Sequence, residues 1–281
     1  MTMSATPARA GLDRPAPWVE RLVKGDANGG RYALRTSVVT GAQSLGAEDL
    51  EDAVHDGYLR LLGPDRPEGL HPFRIWNFIP DLLEPLVGVR HRYIAFNAGR
   101  HRAYERFLQE ASEIPVASGT GASGPDLIIH CLYAADSGVP VENPRQIPAY
   151  RYSEAWGKRP PSFARARRAQ LFGERASLIV AGTASIVGEE TLHESDLAEQ
   201  LSEIERNLEA LVTAAGGSRG TGCSCFRDVR VYVPDSSDLS EVERGVERRF
   251  VGAEQIEYFE SGLCRPGLRV EIEGLAELRD S

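Results

Sequence analysis

Hydrophobic periodicity along this chain switches between the two-residue repeat of a strand and the 3.6-residue repeat of a helix, in the same order twice. Residues 32–39 read as a strand. Residues 47–62 place Leu50, Ala53, Val54, Tyr58, Leu61 and Leu62 at helical spacing, with acids early and Arg60 late, as the helix dipole favours. Residues 72–79 are aromatic and β-branched and read as a strand, 92–110 as a second helix, and 126–135 as a buried strand. The order then recurs. Residues 177–187 form an apolar strand with Gly182 inside it, and 196–215 a helix with Leu197, Leu201, Ile204, Leu208 and Leu211 along one stripe. A strand over 226–233, a helix over 239–250, a short strand over 255–259 and a closing segment over 263–275 follow. Such a recurrence predicts two related α+β modules, each with helices packed on one face of a mixed sheet. Residues 114–125, rich in Gly, Ser and Thr, read as a loop, and residues 18–25 as a short helix or the end of a tail.

The expected division is an N-terminal tail over 1–30, a first module over 31–136, a connector over 137–170 and a second module over 171–281. The connector differs in composition from both modules. Pro144, Pro148, Pro160 and Pro161 exclude a regular helix there. Tyr150, Tyr152, Trp156 and Phe163 are interleaved with Arg145, Arg151, Arg159 and Arg165. Solvated arginines on a plain linker are one reading. The other is a pocket for a planar anion, with guanidinium forks for carboxylates and rings for packing.

A net charge of −9 argues against nucleic acid, which is bound through a surplus of Lys and Arg, and makes any anionic ligand depend on a local arginine cluster. No apolar run is long enough to span a bilayer, and residues 1–17 lack the apolar core of a signal peptide, so a frayed tail and a cytoplasmic protein are expected. The four cysteines then read as free thiols. Cys223-Ser224-Cys225 has no second Cys/His pair beside it and reads as two structural thiols, and the six histidines show no ligand spacing. Nucleophile-elbow, Walker and dinucleotide fingerprints are absent. The Gly-rich stretch 214–222 reads as a helix C-cap and turn.

The closing segment carries the densest chemistry. Cys264 and Arg265 precede a Pro266-Gly267 turn, and residues 268–273 then alternate Leu268, Val270 and Ile272 on one face with Arg269, Glu271 and Glu273 on the other. By pattern alone this is an edge strand with a solvated charged face. Arg265 could lower the pKa of the Cys264 thiol; an inert pocket-lining thiol is the equal alternative.

Gly182-Thr183-Ala184-Ser185, Gln200, Asn207-Leu208, the strand 229–233 and the ending Arg265…Val270-Glu271-Ile272-Glu273 resemble the YjgF/RidA family. A longer pattern resembles the chorismatases: Trp76-Asn77, Phe96-Asn97-Ala98-Gly99-Arg100, Glu142-Asn143-Pro144, Tyr152 and Arg159-Pro160-Pro161-Ser162-Phe163-Ala164-Arg165-Ala166. This resemblance runs from about Phe73 to the C-terminus. It implies two YjgF-like modules with an active site between them, a monomer or a YjgF-like trimer, and cleavage of chorismate to pyruvate and a six-membered-ring acid without metal or cofactor. It also implies roles: Glu271 as general acid, Arg265 on a substrate carboxylate, Arg159 and Arg165 as further anion contacts, and Tyr152 lining the ring pocket. Where the branch that releases a dihydroxycyclohexadiene carboxylate carries Ala, this chain has Gly182 and Cys264, as in the branch that forms 3-hydroxybenzoate; Cys264 is then expected to assist rearomatisation. A RidA-like imine deaminase and a non-catalytic binding or assembly protein are the other readings, and the arginine-aromatic connector speaks against the first of these.

Overall fold

The computed structural model describes residues 12–278, apart from 27–29, 173–174, 219 and 221. Residues 1–11 of the expected tail and two positions of the Gly-rich 214–222 turn therefore lie outside the described residues. The first half comprises α1 (Pro17–Lys24), β1 (Tyr32–Val39), α2 (Ala47–Leu62), β2 (His71–Ile79), α3 (Arg92–Phe107), β3 (Val116–Gly121) and β4 (Leu127–Ala134). Two short strands follow in the connector, β5 (Val139–Val141) and β6 (Ala166–Ala169). The second half comprises β7 (Ser177–Thr183), β8 (Ile186–Val187), β9 (Glu190–Thr191), α4 (Leu197–Ala214), β10 (Phe226–Val233), α5 (Leu239–Arg249), β11 (Gln255–Glu260) and β12 (Glu271–Glu277).

The two halves share one topology. The first sheet runs β1-β4-β2-β3, antiparallel except for the parallel pair β2–β3 bridged by α3. The second contains the same order, β7-β12-β10-β11, with β10–β11 as the parallel pair bridged by α5. Strands β6 and β5 extend this sheet beyond β7. The expected α+β class with helices on one face of mixed sheets is thus what the chain adopts.

Three cores result from the strand alternation. Ile75, Ile79, Ile129 and Tyr133 pack under α2 and α3 with Val54, Tyr58 and Phe96. Val180, Val231, Ile272 and Ala276 pack under α4 and α5 with Leu201, Leu208 and Val246. The opposite faces of both sheets, through Phe73, Trp76 and Phe78 on one side and Ile179, Tyr232 and Leu275 on the other, pack against each other in a third cluster. The layers therefore run helix, sheet, sheet, helix. α1 closes one edge of this seam: the rings of Trp18 and Trp76 lie 6.0 Å apart, and Arg21 Nη2 donates to both carboxylate oxygens of Asp228, at 2.8 and 3.0 Å. From Leu12 onward the segment expected to be a frayed tail is packed, with Leu12, Trp18 and Val19 buried.

Two expectations fail. The stretch 114–125 is not all loop, because Val116–Gly121 pairs with β2 along its length. Its small residues disguise a strand, and they are small because the modules meet there: the Gly121 N–H donates to Gly262 O at 2.8 Å, and a Cβ on Gly121 would come 2.8 Å from the Gly262 nitrogen. The closing strand is also not an edge. It begins at Glu271 and lies between β10 and β7, so its charged face is buried against the first module.

Candidate active site

Glu271 is the centre of the site. It is the first residue of β12, opposite Tyr232 on β10, and is 4% exposed. Alternation sends Ile272 under the helices and Glu271 toward the seam, where a cleft of about 640 Å³, its open mouth included, lies between the modules. Burial, and then the neighbouring carboxylate of Glu273, push the Glu271 carboxyl up to about 8, against the opposing pull of Arg74, Arg165 and Arg265. A carboxyl in that range is a proton donor at neutral pH.

Three guanidiniums line the same cleft. Arg265, on the loop after β11, lies 3.5 Å from the Trp156 ring centroid and 5.2 Å from that of Tyr152, and donates to Glu189 O at 2.5 Å. Arg165, just before β6, donates to Tyr152 Oη at 2.5 Å and lies 4.9 Å from the Phe163 centroid. Arg100 on α3 is 1% exposed, donates to Asn97 Oδ1 at 2.8 Å and leaves its Nε without a partner. Among the described residues none of the three forms an ion pair with an acidic side chain. Buried guanidiniums without counter-ions are costly, and a dianionic ligand would supply what is missing.

Of the sequence-predicted residues, Glu271, Cys264, Arg265, Arg165, Tyr152 and Gly182 all line the cleft. Arg159 does not: its guanidinium turns to Glu51 at 3.6 Å, outside the cleft, while the neighbouring Pro161 forms part of the wall. Of the two readings of Cys264, the pocket-lining thiol is the one its surroundings favour. Burial and the adjacent Glu271 push it up to about 12, and Arg265 and Arg165 do not reverse this. It stands in the wall as a neutral thiol.

Sequence reasoning gave no role to Asn97 and Arg100 of α3, although both stand in the chorismatase pattern, and missed Tyr93 on α3 and Ser118 and Gly119 on β3. One signal was available: Arg100 follows Phe96 by four residues, so it sits in the apolar stripe of its helix rather than on the solvated face. The motif residues Gln200 and Asn207 are supports rather than lining. Gln200 accepts from Arg269 N at 2.9 Å and donates to Gly267 O at 2.8 Å, pinning the loop of Cys264 and Arg265. Asn207 donates to Ile186 O at 2.9 Å and accepts from Arg145 at 2.8 Å, tying β8 to the connector.

Gly182 has a steric reason to be glycine. A Cβ there would overlap Glu271 Oε1 and lie 2.6 Å from its Cδ. The carboxyl would have to turn away from its present position on the cleft wall. Gly182→Ala is therefore expected to turn the Glu271 carboxyl and to lower turnover in this cleft by at least about tenfold, given the steepness of orientation effects. Steady-state kinetics beside a crystal structure of the variant checks this, and an unmoved carboxyl with unchanged rate would contradict it.

Among the described residues no cluster of three or more His, Cys, Asp or Glu side chains is arranged to hold a metal ion, and no helix is long and apolar enough to cross a membrane. Residues 19–133 match the family described as "Chorismatase FkbO/Hyg5-like, N-terminal", so the likeness reaches well upstream of Phe73. A 3-hydroxybenzoate synthase of Streptomyces hygroscopicus is 37% identical over 214 residues, which are 72% of this chain and 62% of that protein. A chorismatase of Streptomyces rapamycinicus is 30% identical over 254 residues, 88% of this chain and 71% of the relative. The crystal structure of a chorismatase superposes with a TM-score of 0.76 at 27% identity, covering 88% of this chain and 75% of that one. The likeness in sequence spans both modules and the connector, and it holds in three dimensions: this chain belongs to the chorismatase family.

Proposed function

We propose that the protein cleaves chorismate to 3-hydroxybenzoate and pyruvate, with Glu271 as the general acid. The observation that carries this reading is a buried carboxyl, raised to about 8, in a cleft where three guanidiniums lack counter-ions. Chorismate is a dianion with an enol ether. Arg100, Arg165 and Arg265 would hold its two carboxylates, and Tyr152, Trp156 and Phe163 would pack its ring. Glu271 donates its proton to the enolpyruvyl methylene carbon, which turns that group into a leaving group. The oxygen of the ring hydroxyl attacks the carbon that bears the enolpyruvyl oxygen, expelling pyruvate as its own proton leaves; its bond to its original carbon then opens, that oxygen takes a proton back, and the ring proton lost on aromatisation restores the acid. The two products together hold all the atoms of chorismate, so no water is consumed. Cys264 takes part as a neutral thiol beside the ring, assisting this last proton movement.

A second product is distinguished by water: hydration of the ring would give a dihydroxycyclohexadiene carboxylate with pyruvate. The close approach of Glu271 to Gly182, with Cys264 beside it, favours the 3-hydroxybenzoate outcome, because the acid occupies space that an added methyl at 182 would deny it. An imine deaminase reading has no use for Tyr152, Phe163 and Arg165, which the connector brings into the wall.

The test is incubation of the purified protein with chorismate, with pyruvate and ring products read by liquid chromatography. Equimolar pyruvate and 3-hydroxybenzoate are expected, and a changed rate or product ratio in Cys264→Ala. A diene diol would overturn the product, and no turnover would overturn the activity. Because the acid works only while protonated, kcat/KM is expected to fall as pH rises through about 8. A flat profile from pH 7 to 10 would contradict Glu271 as the donor.

A further inference from the structure

Two residues beyond Glu271 on the same face of β12, Glu273 is gripped by the first module. Arg74 Nη2 donates to its Oε2 at 2.7 Å, Ser118 Oγ donates to the same oxygen at 2.5 Å, and Trp76 Nε1 donates to Oε1 at 2.8 Å. Arg74 and Glu273 have side chains 1% and 3% exposed. Arg74 and Trp76 share one face of β2 and Ser118 lies on β3, so this is where the first sheet holds the strand that carries the acid. The grip extends to the acid itself. Ser118 has one proton, which it gives to Glu273, and its lone pairs accept from Arg74 at 2.5 Å and from the Gly182 N–H at 3.0 Å. Gly182 is the residue against which the Glu271 side chain rests.

We propose that Glu273 is a positioning residue for the reaction: ion-paired with Arg74 and bound by Trp76 and Ser118, it places a fixed negative charge behind Glu271 that keeps the proton on that carboxyl while locking β12 and Gly182 around it. This rests on the reading of Glu271 as the acid. The other groups facing Glu271 are Arg74 from β2, Arg165 from the connector, Arg265 and Cys264 from the loop after β11, Tyr93 and Arg100 from α3, and Tyr232 from β10. Arg74, Arg165 and Arg265 draw the proton off; burial opposes them first, and Glu273 is the carboxylate that adds to it, acting ahead of Arg74 on Glu271.

The test is a direct titration of Glu271 by carbon NMR of protein labelled at the Glu Cδ, the signal assigned by its loss in Glu271→Gln. In Glu273→Gln the midpoint is expected to fall by about one pH unit, a tenfold change. In Glu273→Gln/Arg74→Gln, which leaves no unpaired buried charge and so folds where the single variant does not, it falls by less but still falls. Ser118→Ala keeps both charges and leaves the midpoint near that of the parent. A purely structural ion pair would lower thermal stability in these variants without moving the midpoint, and an unmoved midpoint in folded Glu273→Gln or the double variant overturns the proposal. The readout is separate from turnover. A Glu271→Gln protein that still consumes chorismate sinks the acid role, whereas an inactive Glu271→Gln beside an unmoved midpoint sinks only the role of Glu273.

Discussion

Glu271→Gln is expected to lower chorismate turnover by about 10²–10⁴-fold, the usual contribution of a general acid, while making the fold more stable at neutral and alkaline pH. Both effects have one cause. The carboxyl ionises at about 8 in the folded protein, above the ordinary carboxylate value of 4.5, because burial penalises its charged form. Below pH 4.5 both folded and unfolded chains hold the proton, and nothing is lost. Between 4.5 and 8 the folded chain holds a proton that the unfolded chain has released, so stability falls as pH rises, at about 1.4 kcal/mol per unit. Above 8 the loss is constant. Glutamine cannot ionise and escapes it. The stability gain of the variant should be near zero at pH 4.5 and reach a few kcal/mol, a rise in Tm of about 5 °C or more, by pH 8. Thermal melts of both proteins across this range check the claim. Parallel melting curves, with no pH-dependent gap, would mean that Glu271 is not held neutral.

Arg74→Met should be the most damaging change away from the acid, costing about 3–5 kcal/mol of stability, because it leaves the Glu273 carboxylate buried without its cation. Trp76 and Ser118 still donate to that carboxylate, but they bring no opposing charge. Arg74→Met/Glu273→Leu, which removes both charges, is expected to recover most of the loss. Urea denaturation of the two singles and the double completes the cycle. Burial decides the size of the effect. The Glu20–Lys24 pair on α1 is 67% and 75% exposed, and breaking it should hardly move the urea midpoint. If Arg74→Met were as mild as that, the seam between the sheets would have to be wet.

Much of the fold was legible because it is written locally. The α2 stripe of Leu50, Val54, Tyr58 and Leu61 and the α4 stripe of Leu201, Ile204, Leu208 and Leu211 are set by helical spacing, and both helices form where the periodicity places them. The repeated order of elements carried the repeated topology, since a parallel pair such as β2–β3 or β10–β11 needs a crossover helix between its strands. Cys264, Arg265, Arg165 and Tyr152 converge on the cleft as the family pattern implied. Strand β3 was illegible because Gly and Ser carry no strand signature, and they are there for a contact with residues more than a hundred positions away. Arg159 and Arg165 looked alike, since composition does not say which way an arginine on an irregular segment turns; only the docking of Glu51 near Arg159 and of Tyr152 near Arg165 separates them.

By itself the sequence determined two α+β modules, their helices and most of their strands, because side-chain period along a single element is enough to mark a buried face. It could not determine what covers the second face of a sheet. Arg269, Glu271 and Glu273 share the alternation of a solvated strand, yet Arg269 pairs with Asp238 before the strand begins, Glu273 pairs with Arg74, and Glu271 is buried in the wall of the cleft. That difference comes from the first module, nearly two hundred residues away, packing its own sheet over this one. Both carboxylates are thereby buried, one against a fixed cation, and burial pushes the other up to about 8.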